Sequence, residues 1–297
     1  MHDALVIGGG PAGLAAVLYL ARFRRNVVVV DAGASRAARI PRSHNVAGHP
    51  GGVAGEELLQ RMRHQVREVG VPLHAGRIER LARDGAAFVA HAGESTWRAR
   101  TLLLATGAVD VEPALASTQQ ALQEGVLRYC PVCDGYEARD SSLGVLCNSG
   151  RGAREALYLR HFTPHVSVFV TSAEVEFAVD DAAALRAAGI RVERQPVTRL
   201  RLVAGKAEVT HGSRTSVCDS LYSALGMQVR SELAAAVGAD IDDDGYVLSD
   251  RHQQTRVPGL FVAGDVARGL NQISVAIGEA AIAASAMHLL LMQPGRA

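Results

Sequence analysis

The sequence predicts an α/β chain of two Rossmann-like, three-layer (ββα) domains, the second inserted into the first. Three observations carry this. An apolar strand, a Gly-x-Gly-x-x-Gly turn and an apolar helix open the chain. The same strand, turn, helix and strand order returns over 142–170. Two further buried strands end in Ala105-Thr-Gly107 and Gly264-Asp265, about 160 residues apart. That separation requires the first domain to be interrupted and resumed, with boundaries at 1–112, 113–244 and 245–297. A chain of 297 residues is long enough for each domain to bury its own core.

In order, Leu5-Val-Ile7 is a strand, Gly8-Gly-Gly-Pro-Ala-Gly13 the turn, 14–23 a helix by its apolar spacing, and Val27-Val-Val-Val30 a buried strand running into Asp31. Gly8 permits the tight turn, Gly10 lets a pyrophosphate approach bare backbone, and Gly13 allows helix and strand to pack closely. Asp31 stands at the spacing of an acid that accepts ribose hydroxyls, which turns a weak glycine motif into a strong dinucleotide signature. A loop with Asn45 and Pro50-Gly-Gly52 leads into a helix over 56–69, marked by Leu58, Leu59, Met62 and Val66. Residues 76–100 alternate in short runs around the turn signals Asp84-Gly85 and Ala92-Gly93, and predict a β-meander. Trp97, the single tryptophan, reads as packing. The strand ending in Gly264-Asp265 decides for FAD as the dinucleotide, because a strand-end Asp can bind the ribityl chain of a flavin.

The second unit is predicted to hold a strand over 142–147, a helix over 153–162 and a strand over 166–170. Its turn, Cys147-Asn-Ser-Gly-Arg-Gly152, puts Cys147, Ser149 and Gly152 in the three glycine slots. Ser149 brings a side chain to where a pyrophosphate should meet bare backbone, and Gly150 rescues the turn only if the register slips. The next strand leads into Thr171-Ser-Ala-Glu-Val-Glu176, with no arginine for a 2′-phosphate and no acid at the strand end for a ribose diol. These residues argue against a working NAD(P)H site. Residues 178–225 alternate helix and strand, and a last helix runs from near Asn271 through Leu291. Its N-terminal amides suit the N1/C2=O edge of an isoalloxazine.

The chemistry-bearing stretch is Tyr129-Cys-Pro-Val-Cys-Asp-Gly-Tyr-Glu137. Thiols at this spacing close a small disulfide ring and can hold or release two electrons, so Cys130 and Cys133 are the candidate catalytic pair. Half of a zinc site and a structural disulfide are the alternatives. A structural zinc needs four ligands, and Cys147 and Cys218 are lone residues, so no metal is expected. Thirty-one Lys+Arg against thirty Asp+Glu leave +1, with no overall pull toward nucleic acid or a membrane surface. The basic runs Arg22-Phe-Arg-Arg25 and 61–67 read as solvated helix surface. The uncharged stretch 4–20 lacks a basic flank and contains Gly8-Gly-Gly-Pro11, so it reads as buried strand and helix rather than a leader or a membrane span. With four cysteines and no targeting segment, the expected compartment is the reducing cytoplasm.

With the glycine turn, Ala-Thr-Gly, Cys-x-x-Cys-Asp-Gly and Gly-Asp in this order, nearly the whole chain resembles the low-molecular-weight thioredoxin reductases. The resemblance implies tightly bound FAD and a homodimer. It assigns Gly8, Gly10, Gly13 and Asp31 to the ADP half, and Asn45, Asp265, Gln272 and Ile273 to the ribityl chain and flavin ring. Pro11, Ala12, Ala32, Ile78, Ala105, Thr106, Gly107, Gly264 and Asn271 complete the candidate cofactor set. It also implies that Cys133 faces the flavin, that Cys130 exchanges with the external dithiol or disulfide, and that Asp134 shuttles the proton. An N-terminal cap for the next helix is the other role open to Asp134.

The departures concern the electron donor. The NADPH-domain glycines are replaced, the His-Arg-Arg run is missing, and Asn271-Gln-Ile273 stands for Arg-Gln-Ala. Related flavoproteins that do without NADPH, some fed by ferredoxin, share such features. So do dithiol oxidases that close disulfides in gliotoxin- or holomycin-type products and pass electrons to oxygen; Cys-Pro-Val-Cys-Asp-Gly-Tyr-Glu looks like their motif, with Asp134 in place of their usual His. The resulting expectation is an FAD-dependent thiol/disulfide oxidoreductase acting on a small dithiol or disulfide or a thioredoxin-like protein. A divergent NADPH-dependent thioredoxin reductase and a non-catalytic flavoprotein sensor are the alternatives; intact Cys130, Cys133 and Asp134 argue against the sensor.

Overall fold

The computed structural model describes residues 1–293 and divides into two compact units. The first comprises Met1–Arg42, Val46–Val109 and the chain from Gln228 onward; the second comprises Ser43–Asn45 and Asp110–Met227.

The first unit begins β1 (His2–Ile7), α1 (Pro11–Arg22), β2 (Val27–Asp31), α2 (Gly55–Glu68), β3 (Leu73–Ala75) and the meander β4 (Arg80–Asp84), β5 (Ala87–Ala92) and β6 (Ser95–Leu104). Helix α1 starts three residues ahead of the apolar run because Pro11 is tolerated in the first turn, where its missing N–H would have no partner. Strands β3, β2, β1 and β6 lie side by side in parallel, and β5 and β4 continue antiparallel from the first half of β6.

Side chains alternate across this sheet with the strand period of two. Ala4, Val6, Val27, Val29 and Leu103 face one core that contains α1, whereas Leu5, Ile7, Val28, Val30, Leu102 and Leu104 face another that contains Leu81, Phe88 and Ala90 of the meander. Helix, sheet and meander are the three layers. Trp97 packs beside the meander core, edge-on to His74.

The chain leaves through β7 (Ala108–Asp110). The second unit runs α3 (Thr118–Gln123), β8 (Leu127–Arg128), α4 (Pro131–Asp134), β9 (Leu143–Cys147), α5 (Arg151–Leu159), β10 (Val166–Val170), α6 (Val179–Ala187), β11 (Arg191–Glu193), β12 (Val197–Val203), β13 (Lys206–His211), β14 (Arg214–Cys218) and β15 (Ser220–Ala224). Its parallel sheet has the order β11-β10-β9-β15-β8, and β12, β13 and β14 form a separate antiparallel sheet. One face of the parallel sheet packs on Ala153, Ala156, Leu159 and Leu185 of the helices, and the other on Ala207 and Val209 of the antiparallel sheet.

The chain returns through β16 (Met227–Val229), which pairs with β7, then α7 (Glu232–Ala236), β17 (Leu260–Val262) and α8 (Ile273–Leu291). β17 adds in parallel to β6, with Val262 opposite Leu104. Helix α8 is long and apolar enough to cross a membrane by length and composition alone. Ala276, Ala280, Ala283, Ala284 and Met287 join the core that holds α1, while Ile282 and Leu289 are exposed.

Candidate active site

Parallel pairing sets the ends of four strands in a row. Ile7 is opposite both Val30 and Leu104, and Leu104 is opposite Val262, so Asp31, Gly8, Ala105 and Ala263 emerge together at the C-terminal edge of the sheet. Gly8 sits at φ +112°, and a side chain there would run into the carbonyl of Ala105. A methyl on Gly13 would overlap the carbonyl oxygen of Gly8, so this glycine sets how closely α1 approaches β1. Gly10 meets only Ser35 Oγ, 3.2 Å from where its Cβ would lie. Asp31 Oδ1 accepts the N–H of Gly9 at 3.0 Å, and a Cβ on Gly9 would collide with the same carboxylate. Gly9 is therefore more crowded than Gly10 of the motif.

The other candidates of the first unit follow. Gly264, at φ +77°, lies against Ala12 and Ala276, and its N–H is accepted by Glu279 Oε2 at 2.8 Å. Burial pushes the Glu279 carboxyl up, the Gly264 amide opposes this, and Asp265 adds to it. Asp265 pairs with Arg36 at 3.0 Å. Thr106 Oγ1 donates to Arg230 O at 2.6 Å, Gly107 takes φ +69°, and Asn271 Nδ2 donates to Tyr246 Oη at 3.0 Å. Gln272 precedes α8 in extended conformation without capping it by its side chain, and Ile273 is the first helical residue. Ala32 is exposed on the loop after Asp31, and the Ile78 side chain is buried in the meander core with Leu81 and Phe88. Asn45 accepts from Ser43 Oγ at 3.0 Å and is counted with the second unit. A bare-backbone turn with an acid on each side fits the diphosphate, ribose and ribityl groups of FAD.

In the second unit Cys130 and Cys133 form a disulfide with Cα atoms 5.3 Å apart. Pro131 opens the single-turn helix α4, Cys130 is its N-cap, and Cys130 Sγ accepts the Cys133 N–H at 3.2 Å. Both cysteines are partly exposed. Asp134 caps no following helix. It is the last residue of α4, and its carboxylate turns to the sheet, where Tyr222 Oη donates to Oδ1 at 2.9 Å and Arg128 Nη1 pairs with Oδ2 at 2.9 Å. Burial raises the Asp134 carboxyl above the ordinary range; Arg128 and the Tyr222 hydrogen bond pull it back, and Glu137 pushes it further up. No sequence signal singled out Arg128 or Tyr222.

The other two cysteines are inert by environment. Cys147 and Cys218 are buried, and burial pushes each thiol up to about 11. Among the described residues no cluster of His, Cys, Asp or Glu could hold a metal ion. In the second turn, a Cβ on Gly152 would run into Cys147, so the packing glycine is required. Helix α5 starts at Arg151 with Gly150 as its N-cap in the right-handed region. Arg194, from just beyond β11, reaches the loop after β10, where it donates to Val175 O at 3.1 Å and lies over the Phe177 ring.

Residues 2–280 match the pyridine nucleotide-disulphide oxidoreductase family. The thioredoxin reductase of Peptoclostridium acidaminophilum is 27% identical over 304 residues, covering 96% of this chain and 95% of that protein. The bifunctional thioredoxin reductase/thioredoxin of Mycobacterium leprae is 32% identical over 303 residues, 96% of this chain and 64% of that protein. Among solved structures, HlmI superposes with a TM-score of 0.89 at 31% identity, covering 98% of this chain and 92% of that one. The thioredoxin reductase of Streptococcus pyogenes superposes with a TM-score of 0.90 at 25% identity, covering 97% of each. The family match and the shared fold extend over almost the full length, and the chain belongs to the pyridine nucleotide-disulphide oxidoreductase family as a thioredoxin reductase-like, FAD-dependent disulfide oxidoreductase.

Proposed function

We propose that the enzyme relays two electrons between FAD and a dithiol or disulfide substrate through Cys130 and Cys133, with a redox partner other than NADPH on the flavin side. The observation that carries this is the closed Cys130–Cys133 disulfide with Asp134 next in the chain. Ser149 and the engagement of Arg194 with Val175 and Phe177 support the part concerning NADPH. In this reading ferredoxin is the partner on that side. A small dithiol or disulfide, or a thioredoxin-like protein, is the substrate. The enzyme works as a cytoplasmic homodimer, with no nucleic acid or membrane partner.

Gly8, Gly10, Gly13, Asp31 and Asp265 would hold the cofactor, which when bound would supply two-electron exchange with the disulfide. At the substrate side a dithiol thiolate attacks Cys130 Sγ, the Cys130–Cys133 bond breaks, and Cys133 departs as a thiolate that takes a proton from Asp134. The second substrate thiolate then attacks the mixed disulfide, releasing Cys130 and a closed substrate disulfide. One dithiol is oxidised and one protein disulfide reduced; a disulfide substrate runs the sequence backward.

Anaerobic mixing tests both parts. Dithiothreitol bleaches the flavin of the oxidised holoenzyme, and NADPH and NADH leave it unchanged. Rapid bleaching by micromolar NADPH overturns the donor claim, and undiminished dithiothreitol turnover in Cys133→Ser overturns the relay. The motif Cys-Pro-Val-Cys-Asp-Gly-Tyr-Glu favours a second reading, dithiol oxidation with oxygen as the terminal acceptor. Stoichiometric oxygen uptake during dithiol turnover distinguishes it.

A further inference from the structure

The acid beside the disulfide is held by two side chains that are distant in sequence and adjacent in space. β15 and β8 run parallel with Tyr222 opposite Arg128. One reaches each oxygen of Asp134, Tyr222 Oη to Oδ1 and Arg128 Nη1 to Oδ2, both at 2.9 Å. Neither donor is loose. Tyr222 is fully buried, and Arg128 Nε is pinned by Gly125 O at 2.9 Å and Ser220 Oγ at 3.2 Å. Ser220 Oγ itself donates to Gly125 O at 2.9 Å. The carboxyl on a single-turn helix is thereby indexed to two strands of the sheet.

We propose that Arg128 and Tyr222 are positioning residues for disulfide exchange: they hold Asp134 and keep its proton exchangeable in the working pH range. The inference rests on the proposed role of Asp134 as proton donor to the departing thiolate. A buried carboxyl with no partner holds its proton too tightly to be recycled, because the anion is poorly solvated. A guanidinium on one oxygen and a phenol on the other stabilise the anion left after the proton has gone to sulfur. They make the return of a proton from water a balanced step. The groups facing Asp134 are Arg128 from β8, Tyr222 from β15 and Glu137 on its own C-terminal side; Glu137 works against the anion and the other two for it.

The test reads the carboxyl itself, so it is independent of turnover. Holoenzyme labelled with 13Cγ-aspartate is titrated by NMR, and the Asp134 signal is assigned by its loss in Asp134→Asn. Arg128→Met is expected to raise the midpoint by about one to three pH units, the range for removing an adjacent opposite charge. Tyr222→Phe moves it upward by less, and Arg128→Lys recovers most of the Arg128→Met shift. The alkaline limb of the pH profile for dithiothreitol attack on the disulfide moves upward with the same ranking. An Asp134 midpoint unmoved in both Arg128→Met and Tyr222→Phe overturns the inference, including when activity falls. Shifted midpoints together with an Asp134→Asn enzyme of unchanged rate and pH profile sink the proton-donor role instead. Flavin content identifies any variant that fails to fold, and Tyr222→Phe, the least disruptive change, then decides.

Discussion

Gly13→Ala sets two effects of opposite sign against each other. Gly13 is the third residue of α1, and replacing a helical glycine by alanine ordinarily stabilises by up to about 1 kcal/mol. Here the new methyl would overlap the carbonyl oxygen of Gly8 and touch Ala105 Cβ at 3.4 Å. The obstructing atom is backbone in a strand-end turn, which cannot rotate away, so relief requires α1 to move off β1. Overpacking of this kind costs about 1–3 kcal/mol, so the clash outweighs the propensity gain. The same displacement tilts the first-turn amides of α1, which fit the cofactor's diphosphate. Loss of about 1.4 to 2.8 kcal/mol there weakens FAD roughly ten- to a hundredfold. Urea denaturation of the apoprotein gives the first quantity, and FAD titration followed by flavin fluorescence gives the second. An apoprotein midpoint equal to or above the wild type, with FAD affinity intact, would refute the argument.

Two further outcomes follow from the second unit. After reduction and denaturation all four cysteines react with a thiol-specific chromogenic reagent, whereas in the reduced native protein at pH 8 only Cys130 and Cys133 do; fast native labelling of Cys147 or Cys218 contradicts the burial and raised proton affinity described for them. Burial pushes Glu155 up to about 7, with Arg151 partly opposing, so between its unfolded range near 4.5 and about 7 the folded state binds the extra proton and stability falls as pH rises. Glu155→Gln should remove that dependence and stabilise the protein at pH 8 by roughly 1–3 kcal/mol while changing little at pH 5, as read by urea midpoints across the range.

What could be read from the sequence was whatever constrains the backbone locally. The glycine turn announces itself because Gly8 needs a left-handed φ and Gly13 a missing side chain, demands that no other residue meets. The meander showed through Asp84-Gly85 and Ala92-Gly93, and the redox pair through the spacing of Cys130 and Cys133. The partners of Asp134 were invisible for a physical reason. Arg128 and Tyr222 come together only through the parallel register of β8 and β15, which nothing local in either stretch specifies. Arg36 facing Asp265 and Arg194 over Phe177 are likewise products of tertiary packing. Helix starts at Pro11 and Arg151 escaped the apolar periodicity because first turns are set by capping and proline chemistry.

The insertion of the second unit also orders events in time. β17 completes the first unit's sheet against β6, with the Leu102 N–H bonded to Gly259 O, yet the whole inserted unit is translated between them. At about 5–20 residues per second, the ribosome keeps β6 waiting roughly eight to thirty seconds for that partner, and α1 waits longer still for α8. The inserted unit, nearly contiguous in sequence, emerges whole and can fold in the interval. The nascent chain therefore carries its thiols before it carries a finished cradle.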